Sequence, residues 1–171
     1  MQTRTLLIRS VALGLLAWAL TGCGFHLRSS QEFAFKTIAI QPTSGSPVAQ
    51  DLARYFAGAV VPLAAGTGPT PPEVVLTIVQ EVRERNIVAV NASGQVRELQ
   101  LLVRLKFKLG TPQGVDLIDT TEISQQRDIS FNESSALAKE AEEVLLFRDM
   151  QNDIVQQMLR RLAAVKLNRL P

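Results

Sequence analysis

"LQLLVRLKFKLG", residues 99–110, decides the fold. Its odd positions Leu99, Leu101, Val103, Leu105, Phe107 and Leu109 are all apolar, while Gln100, Arg104, Lys106 and Lys108 between them are polar. An apolar repeat of two marks a strand with one covered face and one solvated, here cationic, face. Upstream, "VVLTIVQEVRERNIVAV" (74–90) reads as a longer and less regular strand. Its even residues Leu76, Ile78, Val82, Val88 and Val90 are expected to look inward, with a bulge near Arg83 to Asn86. "NASGQ" joins the two as a hairpin, and a two-residue Ser93-Gly94 loop would bring both apolar rows onto one face. Downstream, "TPQG" (111–114) makes a second turn into "VDLIDTTEISQQRDISF", with Leu117, Ile123, Ile129 and Phe131 in phase.

On either side of this meander the period changes. "KTIAIQP" (36–42) is a short β-branched strand that ends at Pro42. In "TSGSPVAQDLARYFAGAV" (43–60) Ser46 can cap a helix with Pro47 at its first position, and Val48, Leu52, Tyr55, Phe56, Ala59 and Val60 recur at helical spacing. Pro62 and the Pro/Gly-rich run to residue 72 form a loop. After Phe131, Asn132, Ser134 or Ser135 can cap a long helix whose stripe is Phe147, Met150, Ile154, Met158, Leu162 and Val165. Arg160, Arg161 and Lys166 fall near its carboxyl end, where the helix dipole favours cations. The expected architecture is α+β, a two-layer sandwich. A four-stranded, largely antiparallel sheet carries two helices on one face, in the order β-α-β-β-β-α.

The amino-terminal stretch is of another kind. "MQTRTLLIRSVALGLLAWALTGC" has Arg4 and Arg9, a short apolar run and small residues before Cys23, the three parts of a secretory signal. The run is shorter than the ~20 residues a spanning helix needs. Leu20-Thr21-Gly22-Cys23 also fits a bacterial lipobox, in which the thiol accepts a diacylglyceryl group and the freed amine is acylated. One acyl chain holds a protein only marginally; two or three make the attachment durable. Gly24 stands where an aspartate would favour the inner membrane, so the outer membrane is the expected address. The expected organisation is therefore residues 1–22 as a cleaved signal, 23–32 as a lipid-anchored lead and 33–171 as a single domain.

Charge and cysteine content narrow the function. The chain has 18 Lys and Arg against 16 Asp and Glu; without Arg4 and Arg9 the balance is 16 to 16. The basic pI thus belongs largely to the leader, and a strongly basic nucleic-acid binder is not indicated. The single cysteine leaves no disulfide and no cysteine-based metal site. His26 is the sole histidine, so no histidine metal site can form either, and no cofactor is expected. The acidic pairs Asp116/Asp119 and Glu142/Glu143 read as solvated neighbours. No serine sits in a nucleophile elbow and no glycine-rich phosphate loop follows a strand, so an enzyme is not expected. What remains is a row of cations, Arg104, Lys106 and Lys108, with Arg83 and Arg85 on the neighbouring strand. Such a row is either a solvated sheet face with cross-strand pairs, for example to Glu81, or a phosphate-recognising surface. Lys139, in "SSALAKEAEE", is either an exposed partner of Glu142 or Glu143 or a ligand contact at the entrance of the long helix.

"GCGFHLR" at 22–28, the "TIAI" strand and "FNESSALAKEAEEVLLFRDMQNDIVQQMLRRL" at 131–162 together resemble the LptE (RlpB) family of lipopolysaccharide-assembly lipoproteins. The resemblance spans the mature chain, with the two end blocks most specific. It implies a two-layer α/β fold and a plug-like position inside LptD, an outer-membrane β-barrel. It also implies help in assembling that barrel, binding of lipopolysaccharide, and a part in its insertion at the outer leaflet. It implies basic residues against the glycolipid at the hairpin tip and at the start of the long helix. Lys139 matches the second position. The first falls on uncharged Asn91, so either Arg97, Arg85 or another residue substitutes, or that contact is missing. The rival expectation is an architectural outer-membrane lipoprotein that scaffolds a barrel without binding glycolipid.

Overall fold

The computed structural model describes residues 31–42, 44–63 and 70–166. In chain order the elements are β1 (Ile38–Gln41), α1 (Pro47–Phe56), β2 (Val74–Val90), β3 (Val96–Gly110), β4 (Asp116–Ser130) and α2 (Ala136–Ala163). The sheet order is β1-β2-β3-β4, with β1 parallel to β2 and the other pairs antiparallel. Both helices lie on one face, giving the expected two-layer α+β architecture.

β3 is the spine of the core. All six of its odd residues from Leu99 to Leu109 are at most 2% exposed. Leu76 and Ile78 of β2, Ile123 and Ile129 of β4, and Met150, Ile154, Met158 and Leu162 of α2 close around them. Val48, Ala49, Leu52 and Phe56 supply the buried stripe of α1. Ser46 caps that helix through Ala49 N at 3.0 Å, and its hydroxyl donates to Glu81 Oε2 at 2.6 Å. Ser46→Ala is expected to cost about 1–2 kcal/mol, since both the cap and the tie to the sheet are lost; a urea titration of the full chain reads it. The helix is shorter than its periodicity suggests. It gives way to a 3₁₀ turn at Ala57–Ala59, and Val60 then forms a parallel bridge to Ile38, so the sheet captures Ala59 and Val60 from the helix. Tyr55 is correspondingly half exposed.

Both hairpins use three-residue loops. In the first, Asn91 N donates to Gln95 O and Gly94 N to Asn91 O, each at 2.9 Å; in the second, Thr111 N donates to Val115 O at 2.8 Å and Gly114 N to Thr111 O at 2.9 Å. Gly94 and Gly114 sit at φ +80° and +89°, the left-handed position this loop requires and only glycine takes without strain. The Ser93-Gly94 loop therefore holds one residue more than expected.

The larger correction concerns β2. The pairing is unbroken from Gln80 to Ile87, across the expected Arg83–Asn86; the register shifts instead between Ile78 and Gln80, at Val79, and again between Ile87 and Val90. Ile78 pairs with Phe107, but after the inserted residue Glu81 pairs with Leu105, Arg83 with Val103 and Arg85 with Leu101. Glu81, Arg83, Arg85 and Ile87 thus share the helix-covered face, and Val82 lies opposite Arg104 on the outer face. Val88 and Val90, expected inward, are 48% and 57% exposed. Further irregularities between Phe107 and Gly110 set Ile118, rather than Leu117, opposite Leu109.

The sheet has two distinct ends. At the base, Lys36 N and Thr37 O are tied to Glu73, the second hairpin turns, and Arg161 and Val165 at the end of α2 lie beside Asp116 and Ile118. Phe33 and Phe35 pack there against Phe56 in edge-on and tilted contacts, so the lead residues 31–37 wedge into the core and form no strand. At the tip are the first hairpin, the end of β4 and the start of α2. With a rise of about 3.3 Å per residue, the 17 residues of β2 carry the tip about 50 Å from the base. Beyond Gln41, which pairs with Thr77, no strand among the described residues lies beside β2 on its β1 side.

Candidate functional site

The Val79 bulge divides the expected cationic row. Arg104, Lys106 and Lys108 remain on the outer face of β3, and two of them are neutralised locally. Arg104 Nη2 donates to both carboxylate oxygens of Glu84, at 3.2 and 3.1 Å, and Lys106 Nζ lies 3.7 Å from Glu122 Oε2. Gln100 donates to Asp128 at 3.1 Å on the same face. Lys108 is exposed, with no ion pair among the described residues.

Arg83 and Arg85 point under the helices. Arg83 donates to Gln151 of α2, which in turn donates to Asp51 of α1. Arg85 Nε lies 3.1 Å from Glu143 Oε1, an ion pair whose angle falls short of a hydrogen bond. The Arg85 guanidinium also sits 5.6 Å from the centre of the Phe131 ring, within cation–π range. On β4, Arg127 reaches Asp153 of α2 at 3.1 Å. These charged groups fasten the helices to the sheet, because each partner left alone at a half-buried position would lose its compensation.

The tip holds the remaining candidates. Lys139, in the first turn of α2, donates to Glu142 at 2.8 Å and to Ser130 Oγ at 3.3 Å, so the helix start is pinned to the end of β4. Asn132 caps the turn before it by accepting from Ser134 N at 3.1 Å. Arg97 is exposed; its backbone oxygen accepts from Phe131 N at 2.8 Å, and its side chain has no ion pair among the described residues. Beside Arg85 opens a mostly apolar cavity of about 270 Å³, lined by Arg85, Ile87, Val96, Leu99 and Phe131. Asn91 is committed to the loop itself. Its oxygen accepts from Ser93 N at 3.0 Å and Gln95 N at 2.9 Å, and its amide donates to Gln95 Oε1 at 2.8 Å. Sequence reasoning named Arg85, Arg97 and Lys139 but missed the cavity, whose walls come from β2, β3 and the β4–α2 junction.

Among the described residues, no three His, Cys, Asp or Glu side chains converge as metal ligands, and no helix is long and apolar enough to cross a membrane. Cys23, His26 and the leader lie outside the described residues.

Residues 35–162 match the family model LptE, described as lipopolysaccharide-assembly. The LPS-assembly lipoprotein LptE of Photorhabdus laumondii is 27% identical over 164 residues, 92% of this chain and 86% of that protein. The solution structure of lipoprotein B from Nitrosomonas europaea is 33% identical, covers 82% of this chain and 91% of its own, and superposes with a TM-score of 0.66. A minor lipoprotein from Acinetobacter baumannii, 18% identical with a TM-score of 0.59, shares the fold; 82% of this chain and 97% of that one are covered.

Proposed function

The chain belongs to the LptE family of lipopolysaccharide-assembly proteins, and from that membership we propose that it works as an acylated outer-membrane plug. In this reading residues 1–22 are removed, Cys23 carries the acyl chains, and the segment to residue 32 tethers a domain that stands inside the LptD barrel. The plug helps that barrel assemble and presents a glycolipid-binding tip as lipopolysaccharide passes to the outer leaflet. The observation that carries the proposal is an apolar cavity lined by Arg85 at the end farthest from the chain's entry, with Arg97 next in sequence to its wall residue Val96 and Lys139 bonded to Ser130, next to Phe131. Lipopolysaccharide offers both apolar chains and phosphates, and a rigid site with cations around an apolar floor meets both.

Length supports the same reading. The apolar band of an outer-membrane barrel is about 25 Å tall, so a sheet about 50 Å long reaches across it with its base still on the side of entry. Barrel interiors are polar, and the outer sheet face, with Arg104–Glu84 and Lys106–Glu122 closed on themselves, is a polar surface without large net charge. The outer row therefore serves the wall contact and the tip serves the glycolipid.

The test is affinity purification from a native host through a tag on the barrel protein. The expected result is recovery of this chain, with lipopolysaccharide, in a stoichiometric complex. Recovery of the barrel without the chain would refute the plug, and recovery of both with a tip that binds no glycolipid would leave only the scaffold.

A further inference from the structure

A second cavity, larger than the one at the tip, lies at the other end of the sheet. A groove of about 540 Å³ opens at the base between the second hairpin and the end of α2. Leu117, Ile118 and Val165 give it an apolar floor, and Arg161 and Lys166 stand over it against a single acid, Asp116. Arg83, Arg85, Arg104, Lys106, Arg127 and Lys139 each meet an acidic partner, whereas Arg97 and Lys108 meet none among the described residues. Arg161 and Lys166 are exposed and have no ion pair among the described residues. The helix dipole accounts for Arg161 in the last turn. It does not account for Lys166, which lies beyond the helix, nor for the apolar floor beneath.

The location of the groove identifies its occupant. Gln31, where the described chain begins, leads into the base beside Phe33 and Thr37. Cys23 precedes it by eight residues, which span at most about 28 Å when fully extended. Resting on the reading of Cys23 as the acylated residue, the base therefore stays within a short tether of the leaflet that holds the acyl chains. We propose that this groove docks the headgroup of an acidic phospholipid in that leaflet. Arg161 and Lys166 meet the phosphate and the net negative charge, and Leu117 and Val165 settle at the headgroup–acyl boundary. Docking sets the long axis of the sheet upright, with the tip directed away from the surface.

The two hairpins provide the measurement, because Gln113 and Ser93 are the middle residues of equivalent loops at opposite ends. In the mature protein an introduced cysteine is the only free thiol once Cys23 is acylated. Full-length mature chains carrying Gln113→Cys or Ser93→Cys are labelled with a fluorophore. They are then reconstituted into phosphatidylethanolamine–phosphatidylglycerol vesicles bearing a headgroup nitroxide quencher. The expected result is strong quenching at residue 113 and little at 93. A Lys or Arg at an acidic surface is worth about fivefold in such an equilibrium, so Arg161→Glu with Lys166→Glu should lower the docked-to-undocked ratio more than about tenfold. Neutral phosphatidylcholine vesicles should abolish the contrast for the unaltered chain without any mutation in the groove. Equal quenching at both loops, or a contrast indifferent to both the double variant and lipid charge, overturns the proposal while leaving the anchor intact. A chain that fails to float with the vesicles overturns the anchor and, with it, the proposal.

Discussion

Phe107→Ala is expected to lower the unfolding free energy by about 3–5 kcal/mol, the cost of removing a buried aromatic from a packed core and leaving a cavity. Phe107 is fully buried in the central strand, with Ile78 and Thr121 as its cross-strand neighbours. Its surroundings come from β-structure on both sides, which cannot collapse inward without breaking two ladders. Domains of this size have about 5–15 kcal/mol to lose, so the variant should sit near its unfolding midpoint at moderate urea. Lys108→Ala, one residue further along on the exposed face, should stay within about 0.5 kcal/mol of the parent. Equal midpoints for the two variants would contradict the assignment of β3 as the spine of the core.

Reversing charge at the tip should have the largest effect on ligand. Arg97→Glu combined with Lys139→Glu is expected to weaken lipopolysaccharide capture by at least about 100-fold. Two charge-assisted contacts at about 1.5–3 kcal/mol each are lost and replaced by repulsion. Arg104→Glu should change capture by less than about twofold, because it lies on the sheet face opposite the cavity-lining Leu99, five residues away, and surface charges are screened within about 10 Å at moderate salt. Capture on immobilised lipopolysaccharide, with thermal unfolding as a check on folding, separates the two. A loss for Arg104→Glu equal to that of the double variant would return the ligand to the outer face.

The parts of the fold that the sequence states outright are those in which local chemistry and burial agree. The alternation of β3, the glycine-bearing turns, the Ser46-Pro47 helix start and the Met150–Leu162 stripe all belong to this class. The Val79 bulge could not be read in the same way. From Glu81 to Arg85 both alternating rows contain charged residues, so neither parity is apolar enough to fix the face. The inward row is tolerated because Ser46, Gln151 and Glu143 meet Glu81, Arg83 and Arg85. Two of those three partners lie some sixty residues away in sequence and announce nothing locally. The candidate site divided accordingly. Lys139 and Arg97 could be named from position, whereas the separation of Arg83 and Arg85 from Arg104 depended on one inserted residue.

The short reach of β1 has a consequence for handling and for biology. Above Gln41 no strand among the described residues pairs with the margin of β2, which is flanked by Val79, Ile87, Val88 and Val90, all about half exposed or more. The opposite margin, on β4, is guarded by Asp116, Asp119, Glu122 and Asp128. An unguarded β margin is a template for stacking onto other chains. Concentrated protein kept by itself therefore carries its own seed for fibrous association, and a surrounding wall would shelter that seed from every neighbouring copy.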